Sequence, residues 1–171
     1  MSGRAGNGPR GTSTRVQAPL LDRLIDDAPD QTRDPPVSAS DTLTALRNSV
    51  RRDLEALLNA RRRWKSWPGT LRELATSPVG YGIPDFGASA FNDVRQREAL
   101  RLEIEDTIRR FEPRFLSVRV ILGDAESKLE STLRLRIDAV MHAEPAPEAV
   151  VFDTLFDPSN DEVIVRSSDA A

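Results

Sequence analysis

The feature that most constrains the fold of this chain is a change in apolar spacing around Glu112-Pro113-Arg114. After this turn, apolar residues occupy every second position, as in a half-buried strand. Pro113 cannot continue a helix, and it moves the preceding residue away from helical geometry. The chain is therefore predicted to change there from helices to strands. Before the turn, apolar residues recur every three or four positions, as on one buried helix face: Leu100, Ile104, Ile108 and Phe111.

Two main helices are predicted before this change. The first begins at Ser40 or Asp41, which are both good N-cap residues, and continues to about residue 62. The second begins near Asn92 and ends at Phe111. A loop with one short helical piece, at about 71–75, is expected between them. The buried face of the first helix is predicted to comprise Leu43, Leu46, Val50, Leu54, Leu57 and Leu58.

Four strands are predicted after the change, at about residues 117–122, 133–141, 150–156 and 163–165. Turn residues separate them, including Gly123 and Asp124 after the first strand. Helices followed by consecutive strands are typical of an α+β fold. We therefore predict two main helices packed on a mostly antiparallel sheet of about four strands, with a flexible N-terminal extension.

The chain divides into one domain with shorter flanking segments. Residues 1–17 contain no acidic residue and no apolar period, which predicts a disordered tail. Residues 18–39 read as a short docking helix and a Pro-rich linker, residues 40–168 as the α+β domain, and 169–171 as a tail. Leu20, Leu21 and Leu24 form the stripe of the docking helix. A helix this short is not stable alone and must pack either on a partner or on the core of its own domain. The residues leave both alternatives open.

Composition argues against several kinds of site. With no cysteine and one histidine, disulfides are excluded and a zinc site or other metal site is not expected, and no motif indicates a cofactor. A formal charge of -3 does not favour a nucleic-acid partner. No apolar stretch is long enough to span a membrane, and no signal segment follows Met1, so a cytoplasmic protein without direct membrane insertion is expected.

The charges that flank Pro113 are the first candidate site. Glu112 and Arg114 are held in direction by the turn, which suits a bidentate contact to a partner. The alternative is a helix stop with two solvated charges. An enzymatic reading, a muramidase-like glycoside hydrolase acting on peptidoglycan, would need two carboxyl groups across a cleft, and the candidates are Glu103, Glu105 and Glu112. Solvated helix charges are the preferred interpretation of these residues, so we expect no catalytic residue.

Two further segments and one histidine are also candidate sites. The basic run from Arg61 to Trp67 contains two tryptophans, which suits stacking on bases or a protein contact, but also a plain helix end. Tyr81–Phe86 is predicted to form a sharp loop that places Tyr81 and Phe86 against the helices, because Gly82 permits conformations that other residues avoid. Contact with a partner is the alternative. His142 is expected to be a partly exposed imidazole at a strand end.

The final predicted strand, Val163, Ile164 and Val165, is short and precedes a polar tail. If it lies at a sheet edge, its free amides and carbonyls would accept a strand from another chain. The alternative is an edge that charged residues merely protect.

Several of these segments together resemble the TssE family of type VI secretion baseplate subunits, relatives of the lysozyme-like labelled wedge protein of contractile phage tails. The resemblance covers about residues 18–168. The segments that carry it, in order, are Leu20–Leu24, Ser49–Asn59, Tyr81–Phe86, Phe111–Arg114 and Phe152–Thr154.

The resemblance implies a structural, non-enzymatic subunit in a hetero-oligomeric assembly. Its partners would be the wedge subunits TssF and TssG and the sheath subunits of a contractile injection machine. Glu112, Pro113 and Arg114 match the family motif and would grip the wedge core, with the segment at Leu20 as a second attachment. The sheet would accept a sheath strand and start sheath assembly.

Overall fold

The computed structural model describes residues 20–25, 29–30, 38–62, 67–68, 70–85, 93–123, 133–143, 146–157 and 162–168. Within these residues, two long helices pack on one face of a four-stranded antiparallel sheet, which confirms the predicted α+β fold. The helices are α1 (Leu20–Leu24), α2 (Ala39–Asn59) and α3 (Val94–Phe111), with short 3₁₀ helices at Arg72–Thr76 and Pro78–Gly80. The strands are β1 (Arg61–Arg62), β2 (Ile83–Pro84), β3 (Phe115–Leu122), β4 (Leu133–Met141), β5 (Glu148–Asp157) and β6 (Glu162–Ser168).

Side-chain caps determine where the long helices begin. Ser38, not Ser40 or Asp41, caps α2, and its Oγ accepts from the Asp41 N–H at 3.1 Å. Asp93 caps α3, where Oδ1 accepts from the Arg95 N–H at 2.8 Å. Each cap satisfies a backbone donor that has no partner within the helix. The prediction for α3 is correct to within two residues at its start and correct at its end.

Helix α2 ends at Asn59 rather than near residue 62, because Ala60 is extended and the next two residues form β1. β1 pairs in parallel with β2, and the Ile83 N–H donates to the Ala60 carbonyl at 3.1 Å. Gly82 has a φ of 94°, and a Cβ there would lie 2.4 Å from the Ala60 oxygen. Only glycine therefore fits this turn, as its position in the sequence predicts.

The large sheet is a simple meander in the order β3-β4-β5-β6, so β3 and β6 are its edges. Helix α3 lies along β3, and α2 lies along β6. The fourth strand runs over Glu162–Ser168 and is longer than the predicted segment at 163–165. Alternate strand residues turn towards the helices and form the core: Val118, Val120, Leu135, Ile137, Met141, Phe152, Val163 and Val165.

Several predictions concern residues outside those described. These include the tails at 1–17 and 169–171, most of the Pro-rich linker, Trp64, Phe86 and the turn at Asp124. Among the described residues, no helix combines the length and apolar character that crossing a membrane requires.

Candidate partner interfaces

The Glu-Pro-Arg turn stands where α3 ends and β3 begins. The Glu112 N–H donates to the Ile108 carbonyl at 2.9 Å, which completes the last helical turn. The Glu112 side chain is only 5% exposed, whereas Pro113 is exposed. The Arg114 backbone N–H (3.1 Å) and Nε (2.6 Å) donate to Glu112 Oε1, and Nη2 pairs with Oε2. The two-pronged contact of this guanidinium is therefore made inside the chain.

Arg114 also connects the turn to α2. Its Nη2 donates to Asp53 Oδ2 at 2.7 Å, and its Nη1 donates to Ser49 Oγ at 3.3 Å. Burial opposes the charge of Arg114, but the hydrogen bonds and charges of Glu112 and Asp53 outweigh it and raise the pKa. Sequence reasoning treated both motif charges as free to meet a partner or solvent, whereas both have partners within the chain. That they also bind another subunit stays a prediction.

Helix α1 is connected to the same part of α2. Arg52 Nη2 donates to Asp22 Oδ1 at 2.9 Å and to Ser49 Oγ at 3.2 Å. Burial alone would raise the pKa of Asp22, but hydrogen bonds from Ser49 and Arg52 and the nearby arginine charges lower it. Ser49 therefore links two ion pairs. We call the connected set Asp22, Ser49, Arg52, Asp53, Glu112 and Arg114 the polar cluster.

The apolar side chains of α1 remain largely outside the core. Leu21 is 57% exposed and Leu24 is 74% exposed, and Ile25, directly after the helix, is 50% exposed. Helix α1 is thus attached to the domain by a charged contact, while these side chains face solvent. Their exposure argues against the alternative that Leu21 and Leu24 pack on the core of their own domain. The side chain of Leu20 lies outside the described set.

At the β6 edge, side chains of α2 already occupy backbone groups of the strand. Asn59 Oδ1 accepts from the Val163 N–H at 2.9 Å, and Asn59 Nδ2 donates to the Val163 carbonyl at 2.8 Å. The Val165 N–H donates to Glu55 Oε2 at 3.3 Å, and Arg51 Nη1 donates to the Val165 carbonyl at 3.2 Å. A neighbouring strand would make the same kinds of bond. Its acceptance here stays a prediction and requires these side chains to move.

The β3 edge carries a similar arrangement. The Val120 N–H donates to Glu105 Oε2 at 3.1 Å, and Arg101 Nη1 donates to the Val120 carbonyl at 3.2 Å. Arg101 and Glu105 are also ion-paired at 3.0 Å, as Arg51 and Glu55 are at 2.9 Å. We call Arg51–Glu55 and Arg101–Glu105 the edge pairs.

The carboxylates considered for hydrolysis are all paired with arginine. Glu103 Oε1 lies 2.6 Å from Arg62 Nη2. Burial opposes the charge of Glu105, but the Val120 N–H and the arginines at 101 and 109 lower its pKa. A general acid needs a raised pKa, so this environment does not favour the role. The expectation that these carboxylates are solvated helix charges is wrong, because Glu103 links α3 to β1 and Glu105 links α3 to β3.

The remaining candidates have structural contacts. Arg62 is buried, and its guanidinium lies 5.7 Å from the Trp67 ring centre. The Tyr81 ring meets Phe111 edge-on at 5.3 Å, which confirms its expected place against a helix. Burial, with the charges of Asp53 and Glu112, raises the pKa of Tyr81. The backbone N–H of His142, an exposed residue, donates to the Arg114 carbonyl at 2.7 Å.

Sequence reasoning missed the roles of Arg51, Glu55 and Asn59, and of Arg101 and Glu105. Their spacing of four residues was visible and predicts a common helix face. What it could not reveal is that this face lies beside a strand edge, since that depends on which strand each helix packs against.

The chain matches the family model described as "Baseplate wedge protein gp25" over residues 44–146. This range is more than half of the chain and includes α3, the Glu-Pro-Arg turn and most of α2. Helix α1 and strands β5 and β6 lie outside it. No curated protein matches the chain.

Proposed function

Because this chain belongs to the family of the baseplate wedge protein gp25, we propose that it is a structural subunit of a type VI secretion baseplate. In this role it joins the wedge core, with TssF and TssG as partners, to the first sheath ring of a contractile injection machine. It acts in the bacterial cytoplasm, in a baseplate docked at the inner membrane complex. The TssE-like segments that flank the matched range, Leu20–Leu24 and Phe152–Thr154, favour the type VI branch of the family.

The observation that carries the proposal is the polar cluster. It brings together two segments that sequence reasoning assigned separately to partner binding, the helix at Leu20–Leu24 and the turn at Glu112–Arg114. Both segments therefore belong to one surface on α2. A wedge partner that binds this surface would meet the apolar residues of α1 and the proline turn together.

Within this surface, the contacts suggest different roles for the residues. Leu21 and Leu24 provide exposed apolar area for a partner. Pro113 and the 24% exposed side chain of Arg114 offer the direct contact at the turn. Glu112 is buried, and its main role in this proposal is to hold the Arg114 guanidinium in place. The sheath contact is assigned to the edge of β6, at Val163, Ile164 and Val165.

The wedge contact is tested with the full-length double variant Leu21→Ser/Leu24→Ser. Each leucine buried at an interface contributes about 1.5–3 kcal/mol, so the pair should weaken binding by roughly 100-fold or more. The measurement is co-purification with TssF and TssG, together with thermal unfolding of the variant alone. Unfolding should change little, because both side chains are already exposed.

The matched control is Val94→Ser/Leu102→Ser on α3, where Val94 is 68% exposed and Leu102 is 52% exposed. This variant removes similar exposed apolar area away from the proposed surface and should co-purify normally. If the α1 variant also co-purified normally while remaining folded, the assignment of α1 to the wedge contact would be wrong. Equal losses in both variants would indicate a nonspecific solubility effect and would equally contradict it.

A second test uses Arg114→Lys. A lysine keeps the charge but cannot hold Glu112 and Asp53 with one planar group. We expect loss of co-purification accompanied by a decrease of about 1–3 kcal/mol in the free energy of unfolding. Asp53→Asn removes one ion pair of Arg114 but leaves Glu112 in place, so it should retain most of the binding. Normal binding by Arg114→Lys would remove the turn from the proposed interface.

A further inference from the structure

Ser49 lies where two separate segments of the chain meet α2. Its Oγ accepts from Arg52 Nη2 at 3.2 Å, and the same Nη2 donates to Asp22 of α1 at 2.9 Å. Ser49 Oγ also accepts from Nη1 of Arg114, in the Glu-Pro-Arg turn, at 3.3 Å. Because Ser49 is only 2% exposed, water competes little for these bonds. One buried oxygen thus takes part in the contacts of both α1 and the turn.

A serine hydroxyl has the number of bonding sites that this position requires. It has one proton to donate and two lone pairs that accept. The two arginines supply donors for the lone pairs, which leaves the proton for a carboxylate. Burial opposes the charge of Asp22, but the hydrogen bond from Ser49, together with Arg52, lowers its pKa. Hydrogen bonds in a chain polarise one another, so the bond from Arg114 strengthens the hold of Ser49 on Asp22.

Helix α1 depends on this carboxylate for its place on α2. The helix has five residues, which is too few for stability on its own. The side chain of Asp22 is only 20% exposed, whereas Leu21 and Leu24 are largely exposed. The orientation of α1, with its carboxylate inward and these leucines outward, therefore follows from the acidic residue rather than from apolar burial.

We propose that Ser49 is a positioning residue that couples the docking of α1 to the geometry of the Glu-Pro-Arg turn. When Arg114 bonds to Ser49, Asp22 is held more tightly, and docking of α1 in turn favours the bonded position of Arg114, because such coupling is reciprocal. The leucines of α1 and the turn are then presented together. That this joint surface meets the wedge core rests on the proposed function, whereas the coupling rests on this chain alone.

The position of α1 in the free full-length chain is measured by double electron–electron resonance. The chain has no cysteine, so nitroxide labels attach only at the introduced positions Leu24→Cys and Ala99→Cys, both exposed. A docked α1 gives a narrow distance distribution, and a released α1 gives a broad one. In Ser49→Ala the ratio of docked to released helix should fall by about tenfold. Thr44→Ala removes an exposed hydroxyl from the same helix and should leave the ratio unchanged.

Arg114→Lys tests whether the turn acts on α1. The lysine keeps the positive charge near Asp22 but loses the planar group that bonds to Glu112 and Ser49 at once. The ratio of docked to released helix should therefore fall by about threefold or more. The matched control is Arg110→Lys on α3, because the Arg110 side chain is 23% exposed and that of Arg114 is 24% exposed. This control should leave the ratio unchanged.

The double variant Ser49→Ala/Arg114→Lys decides whether the coupling passes through the hydroxyl. Without Ser49 Oγ, the change at Arg114 should have no further effect on α1. A further threefold fall would overturn the proposal, since the turn would then act on α1 by another route. An unchanged ratio in Ser49→Ala would overturn it as well. Thermal unfolding confirms that each variant is folded, and Glu112→Gln, which weakens the hold on the same guanidinium, is a milder second variant that should shift the ratio in the same direction.

This inference and the proposed function fail in different experiments. If Leu21→Ser/Leu24→Ser co-purified normally with TssF and TssG while the free chain showed the coupling, the wedge assignment of α1 would be wrong and the coupling would stand. If that variant lost the wedge subunits while Ser49→Ala left α1 docked, the proposed function would stand and the role of Ser49 would be overturned.

Discussion

The two edges of the sheet are closed by the same chemistry but to different degrees. At each edge, an arginine and a glutamate four residues apart on the neighbouring helix bond to the outward N–H and C=O of one buried valine. The side chains thereby take the place of an adjacent strand and limit pairing with other chains. The contacts are Arg101–Glu105 with Val120 on β3, and Arg51–Glu55 with Val165 on β6.

We call the contacts of Arg101 and Glu105 with β3 the α3 closure, and the contacts of Arg51, Glu55 and Asn59 with β6 the β6 closure. The two closures differ in the burial of their side chains and in their length along the strand. Glu105 is 18% exposed and also pairs with Arg109, whereas Glu55 is 38% exposed. The β6 closure extends further, because Asn59 occupies Val163, yet it is made by more exposed side chains. We infer that the α3 closure stabilises the fold, while the β6 closure is the one that a partner strand can replace.

The largest expected effect follows from Gly82→Ala, which disturbs the end of α2 and with it the β6 closure. The new Cβ would meet the Ala60 carbonyl at 2.4 Å in a backbone with φ of 94°. We expect a loss of about 3 kcal/mol or more in the free energy of unfolding by urea. Amide exchange should accelerate at Val163, beside the displaced Asn59, much more than at Val120.

The control is Gly123→Ala, at the end of β3. Its Cβ would lie 3.0 Å from the Arg134 Cβ, and the backbone has no positive φ. It should therefore destabilise the chain less than Gly82→Ala. Equal acceleration of exchange at both edges in Gly82→Ala would mean that the two closures are not independent.

The second prediction compares the two glutamates of the edge pairs. Glu105→Ala leaves the buried Val120 N–H without its acceptor and removes one of the two carboxylates that pair with Arg101, so it should cost about 2–3 kcal/mol of unfolding free energy. Glu55→Ala should cost about 1 kcal/mol, since water can reach its partners. Urea unfolding of both variants measures the difference. Equal costs would contradict the distinction between a structural and a replaceable closure.

The sequence predicted the elements of both edges but not the contacts that distinguish them. The apolar period gave α3 and its end at Phe111, because burial on one face imposes that spacing. Asn59 was included in the first helix without a role, since its partner Val163 is 104 residues away in the chain. The small β1–β2 pair was also missed, because two residues carry no detectable period.

The site was predicted with the same limits. Pro113 and the flanking charges were identified from local chemistry, which a turn largely determines. The partners of Arg114 on α2 were not, because they depend on how α2 and α3 pack together. Likewise, the stripe at Leu21 and Leu24 was visible, but the Asp22–Arg52 contact that holds α1 beside the turn was not.

The third prediction concerns Asn59, which bonds to both backbone groups of Val163. Asn59→Ala removes both bonds to Val163 and the Nδ2 bond to the Glu55 carbonyl, at an exposed position, so the expected cost is about 1–2 kcal/mol. Asn59→Asp keeps the acceptor for the N–H but loses the donor to the carbonyl. It should therefore keep the Val163 amide protected against exchange while still lowering stability. If the two variants exchanged at the same rate, the Asn59 acceptor would not be what protects this amide.

The smallest expected effect is the pH dependence of the α3 closure. Burial opposes the charge of Glu105, but the Val120 N–H, Arg109 and Arg101 lower its pKa below the ordinary value of about 4.3. The unfolded chain then binds a proton more readily than the folded chain, so this contribution is complete above the ordinary pKa. It is lost as pH falls through the lowered pKa of the folded state.

In Glu105→Gln the contribution is absent at every pH. The difference in urea-unfolding free energy between wild type and this variant should therefore shrink, by less than about 1 kcal/mol, as pH falls from about 6 to about 3. A constant difference across this range would mean that Glu105 stabilises the β3 edge through its shape and hydrogen bonds rather than through its charge.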